Sequence, residues 1–80
     1  MTKLTVLYFA SLRDAAGMAS EVVDSDAPDL HGLYAELQMR HGFSWPTEIL
    51  RVAAQGEFAQ WGDALREGSE VAFIPPVSGG

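Results

Sequence analysis

The group in this chain with the clearest capacity for chemistry is the main chain's own final carboxylate. Residues 70–80 read Glu-Val-Ala-Phe-Ile-Pro-Pro-Val-Ser-Gly-Gly. Pro75 and Pro76 cannot donate to a sheet ladder and hold φ near about −65°, so a strand that meets them ends and an extended tail leaves the domain. Gly79 and Gly80 lack a Cβ, so the Gly80 carboxylate can pass down a channel that any larger residue would block. A Gly-Gly dipeptide alone is best read as a frayed end. A strand, two prolines, Val77, Ser78 and then Gly79-Gly80 in last position is a far more specific arrangement.

The side chains offer little by comparison. Cysteine is absent, which removes thiol nucleophiles, zinc-thiolate sites, persulfides and disulfides together. With only His31 and His41, a metal centre made wholly of protein ligands is hard to assemble, and none is expected. His41 lies near the end of a helix, where a cation complements the dipole. Ser11, Ser20, Ser25, Ser44, Ser69 and Ser78 lack a nucleophile-elbow context, and the Arg13-Asp14, 24–29 and Arg66-Glu67 charge clusters read as solvated loops or caps. No active site of the usual kind and no bound cofactor are expected. Eleven acidic residues against five basic ones give a formal charge of −6, the wrong sign for nucleic acid or an anionic membrane, and a partner with a basic surface is expected instead. No apolar run approaches the ~20 residues of a membrane span, and the opening MTKLTVLYFA reads as a strand rather than a signal peptide. A soluble, cytoplasmic protein is expected.

The elements that must position the tail follow from periodicity. Residues 3–10 form an apolar strand on both parities, Leu4, Val6 and Tyr8 against Leu7 and Phe9, as in a strand placed mid-sheet or facing a partner. Residues 11–17 suggest one helical turn closed by Gly17, and residues 20–24 a second strand. Asp29 is a natural N-cap for a helix whose Leu30, Leu33, Tyr34 and Leu37 make one apolar stripe, ending with Arg40, His41 and Gly42. Gly32 is a costly residue inside that helix, by about 1 kcal/mol against Ala. Residues 43–49, with Trp45-Pro46, read as irregular or a 3₁₀ turn. Short strands are expected over 51–54 and 58–61, around a Gln55-Gly56-Glu57 turn, and Leu65 is the expected core plug of the 62–68 link. A last strand spans 70–74, with Phe73 in the core and Ile74 facing the other way.

A β-β-α-β-β-β order with one main helix predicts an α+β fold, a mixed sheet packed on that helix, with first and last strands adjacent and parallel in the middle. This is the ubiquitin-like β-grasp arrangement, over residues 1–74, with residues 75–80 as a flexible tail. The fold alone names no function.

Three segments carry a more specific likeness. EVAFIPPVSGG, VLYFASLRDAAG and RVAAQGEFAQWGDALREGSEVAF resemble the ending, opening and middle of the molybdopterin synthase small-subunit family, the sulfur carriers of molybdenum cofactor synthesis. Between Glu21 and Leu50 only the hydrophobic pattern agrees. Gln55 stands where that family often has Asn, and Ser69 where Asp usually precedes Glu-Val. The resemblance implies that an adenylating enzyme related to ubiquitin-activating enzymes spends ATP to join Gly80 to AMP, that a sulfur donor protein then converts Gly80 to a thiocarboxylate, and that the large synthase subunit receives it in a heterotetramer. The chain would not be catalytic alone. Its partner patch, by the same resemblance, is Phe9, Phe58 and Ile74 with Arg13 at the edge, and its tail is Pro75, Pro76, Ser78, Gly79 and Gly80. A thiamine-pathway sulfur carrier, a ubiquitin-like protein modifier and a plain β-grasp interaction module are the competing readings.

Overall fold

The computed structural model describes residues 1–76. Seven elements follow in order: β1 (Thr2–Tyr8), α1 (Ala10–Ala16), β2 (Ser20–Ser25), α2 (Leu30–His41), β3 (Arg51–Ala54), β4 (Glu57–Phe58) and β5 (Glu70–Ile74). They build one five-stranded sheet in the order β2-β1-β5-β3-β4. β1 runs parallel to β5, with Tyr8 opposite Phe73, and antiparallel to β2, while β3 is antiparallel to both β5 and β4. The mixed sheet on one main helix is the expected α+β, ubiquitin-like β-grasp. The strand in the middle is β5, with β1 immediately beside it.

Strand alternation sorts the side chains. Leu4, Val6 and Tyr8 of β1, Val23 of β2, Val52 of β3 and Val71 and Phe73 of β5 are buried, and they meet Leu30, Leu33, Tyr34 and Leu37 of α2. Phe73 is wholly enclosed and forms a triangle of rings with Tyr34, at 5.3 Å, and Trp61, stacked at 5.9 Å, which are themselves 5.8 Å apart. The opposite parity gives the uncovered face: Leu7, Ala72, Ala53 and Phe58 lie in one cross-strand row.

Both caps of α2 match their residues. The Asp29 carboxylate accepts from the Gly32 N–H at 2.8 Å, and Gly42 closes the helix at φ 74°. Gly32 also explains itself, because a Cβ there would sit 3.1 Å from the Ala27 Cβ and 3.3 Å from the Pro28 ring. A side chain there would push the capping loop back by a few tenths of an ångström.

Three local expectations change. The single turn at 11–17 is a seven-residue helix, α1, closed by Gly17 as expected. The fourth strand starts and stops early, at residues 57–58 rather than 58–61. Gln55 and Gly56 have φ of 54° and 80° and join Ala54 to Glu57 as a two-residue hairpin turn, so pairing resumes at Glu57. It ends because Trp61 turns inward onto Phe73, while its carbonyl accepts from the His31 N–H at 2.9 Å. Leu65 is half-buried and packs on the core margin, and Ser69, read only as a turn residue, is buried with its hydroxyl donating to the Arg66 carbonyl.

A polar knot ties the end of α2 to the sheet. The Tyr8 hydroxyl donates to Glu21 at 2.5 Å, His41 Nε2 lies 2.6 Å from the same carboxylate oxygen, and Arg40 approaches the other at 3.6 Å. Burial pushes the Glu21 carboxyl up, but the hydrogen bonds from Tyr8 and His41, with the charges of His41 and Arg40, outweigh it and hold the carboxyl below its usual 4.5. A folded-state value below the unfolded one adds stability that is fully present above about pH 4.5 and is lost as pH falls through the folded value. Urea unfolding across pH 3–7 should therefore show Glu21→Gln less stable than wild type at neutrality, with the gap closing in acid. A gap independent of pH would remove the ionised carboxylate from the account.

Candidate functional site at the root of the tail

β5 delivers the chain to its prolines in graded fashion: Ile74 is half-buried, Pro75 buried and Pro76 exposed. The body thus holds the main chain through Pro75. Ser78, Gly79 and Gly80, the residues assigned to carboxylate chemistry, lie outside the described residues.

Beside this root is an apolar groove of about 590 Å³. Ile74, Pro75 and Pro76 form one side, and Phe9, Ala10, Ser11 and Trp45 the other. Phe9 precedes α1 and remains 43% exposed although it follows a buried strand. Its setting depends on Ala10, whose φ of 51° lies in the left-handed region that costs an L-residue roughly 1–2 kcal/mol. That turn reverses the chain between β1 and α1. The segment bearing Trp45 is held twice: the Tyr34 hydroxyl donates to the Trp45 carbonyl at 2.7 Å, and the indole Nε1–H donates to Ser11 Oγ at 2.6 Å.

The structure therefore brings Phe9 and Ile74 together with Pro75 and Pro76. Arg13 is exposed one helical turn after Phe9 and is not among the residues that line the groove. Phe58 stands apart. It is 77% exposed on β4 and shares the uncovered sheet face through the Ala72–Ala53–Phe58 row, but it borders other clefts and not the groove. Trp45, Ser11 and Ala10 had no part in the expected patch. The signal available was an aromatic residue followed by proline in a segment with neither helical nor strand period.

Among the described residues no titratable side chain lines the groove, and the Ser11 hydroxyl there accepts from the Trp45 indole. Among the described residues no group of three His, Cys, Asp or Glu side chains could hold a metal ion, and no helix is long and apolar enough to cross a membrane.

A model of the ThiS family matches residues 6–80, nearly the whole chain. The chain belongs to the ThiS family. Among its relatives, the human molybdopterin synthase sulfur carrier subunit is 33% identical over 86 residues, covering 100% of this chain and 97% of the human protein. The counterpart from Mycobacterium tuberculosis is 32% identical over 83 residues and covers 100% of both. Of solved structures, SAMP1 from Haloferax volcanii superposes with a TM-score of 0.81 at 30% identity, covering 98% of this chain and 99% of that one. These matches place the chain with the molybdopterin synthase small subunits, and the fold with the ubiquitin-like β-grasp proteins.

Proposed function

We propose that this member of the ThiS family is the sulfur carrier subunit of molybdopterin synthase, with Gly80 as its reactive residue. The supporting observation is the pairing of a full-length match to molybdopterin synthase sulfur carrier subunits with a tail root that, among the described residues, presents no titratable side chain. The work then falls to the main-chain carboxylate. A free carboxylate is a poor electrophile. An adenylating partner that uses ATP joins it to AMP and releases pyrophosphate, and the sulfur of a donor then displaces AMP to leave a thiocarboxylate. The thiocarboxylate is ionised at neutral pH and nucleophilic without any cysteine. The large subunit holds the pterin substrate, cyclic pyranopterin monophosphate, and two such transfers complete its dithiolene. The carrier supplies sulfur and position, an effective-concentration contribution. The Phe9–Ile74 surface with Arg13 at its rim meets the partner, and Phe58 adds an outlying contact.

Intact mass of the purified chain, before and after incubation with its adenylating enzyme, ATP and sulfide, tests this. The expected gain corresponds to one oxygen replaced by sulfur, located at Gly80. No gain with an enzyme that demonstrably consumes ATP on this chain would refute the reading. A thiamine-pathway carrier would show the same gain but would not co-purify with a pterin-binding large subunit. The likeness to the small archaeal modifier protein 1 of Haloferax volcanii keeps a protein-modifier role as the second reading. It requires higher-mass conjugates that vanish when Gly79 and Gly80 are deleted.

A further inference from the structure

We propose that Trp45 and Ser11 form the fixed wall of a socket that takes one aliphatic or aromatic side chain from the protein receiving the tail. The inference rests on the carrier reading for the identity of that protein, and on the groove for everything else. Gly80 is four residues beyond Pro76, so it lies no farther than about 14 Å from it however extended the chain. Any protein that seats the Gly80 carboxylate in an active site must bring its surface within that distance. Pro75 and Pro76 are themselves part of the groove, so the receiving surface has to cover it. A covered groove left unfilled would forfeit contacts on every wall, and its apolar lining offers water few hydrogen-bond partners. The occupant is therefore an apolar side chain.

The wall is preset for that role. The indole cannot swing away without breaking its 2.6 Å bond to Ser11, and its backbone is fixed by Tyr34. Ser11 in turn is placed by the left-handed turn at Ala10. Rigid aromatic groups lose little freedom on binding, and Trp is among the residues most often found to dominate interface energetics. Trp61 has the opposite role, stacked against Phe73 in the body.

Calorimetric titration of the full chain with the molybdopterin synthase large subunit from the same source tests this. Trp45→Ala should weaken binding by at least about tenfold, Ser11→Ala by a smaller factor in the same direction, and Trp45→Phe least of all. Val22→Ala, on the far edge strand, should leave affinity unchanged. In a Trp61→Phe background, emission from Trp45 should shift to the blue as the large subunit is added. That readout needs no change at the socket, so it decides the matter even where Trp45→Ala fails to fold. Unaltered emission, or wild-type affinity in folded Trp45→Ala and Ser11→Ala chains, would overturn the socket. Absence of any binding by the unmodified chain would instead overturn the carrier reading beneath it.

Discussion

A chain shortened by Gly80 alone should fold as the full chain does and transfer sulfur at least about 100-fold more slowly. Among the described residues every core residue lies at or before Phe73, and Pro75 is the last that is buried, so the body has a complete core without Gly80. Its thermal midpoint should be unchanged. Loss of one residue withdraws the reacting carboxyl by about 3.4 Å, and misplacing a reacting group by only ~1 Å can cost on the order of 10²-fold. Single-turnover assays with the large subunit and a chemically thiocarboxylated carrier separate this effect from any defect in activation. Full sulfur transfer by a carrier ending at Gly79 would contradict the assignment of Gly80.

Phe9→Asp should abolish measurable association with the large subunit while sparing the fold. Phe9 is 43% exposed at the groove and belongs to no buried cluster, so an aspartate there is solvated in the free chain. In the complex the same carboxylate is covered with no partner, a penalty of roughly 3–5 kcal/mol. At about 1.4 kcal/mol per decade, affinity falls by roughly two to three and a half orders of magnitude. Ile74→Asp should act in the same direction. Phe58→Asp, on β4 and away from the tail root, should have the smaller effect. Calorimetry on all three carriers makes the comparison, and equal affinity for wild type and Phe9→Asp would remove Phe9 from the interface.

What could be read without coordinates divides along physical lines. The stripe of α2, its Asp29 and Gly42 caps and the alternation of β5 are local signals, each decided within a few residues, and the structure places them as expected. The end of β4 was hidden because it depends on Trp61 finding Phe73, a contact between segments that no period in 58–61 announces. The Glu21 knot was hidden likewise, since it joins three elements through one carboxylate. At the site, Phe9 and Ile74 were named by the family resemblance, and the apolar residues on both parities of the first strand supported Phe9. Trp45 was not legible, because its place depends on Ser11 in a helix more than thirty residues earlier. Gln55 is the reverse case: the family's usual Asn suits a left-handed turn position, and the observed φ of 54° shows what that preference serves.

The seating of β5 between β1 and β3 also bears on how the molecule is made. Residues 2–8 must find residues 70–74 across nearly the whole chain. The β1–β2 and β3–β4 hairpins are local and can form early, but the slot between them stays vacant until translation has reached residue 74. Such distant pairing is slow. Until it occurs, Leu4, Val6 and Val52 border an open gap whose unpaired strand edges invite association with other chains. The nascent protein therefore has a window of vulnerability that closes only when the segment leading into the tail locks home, and chaperone demand should be set by the arrival of that one strand.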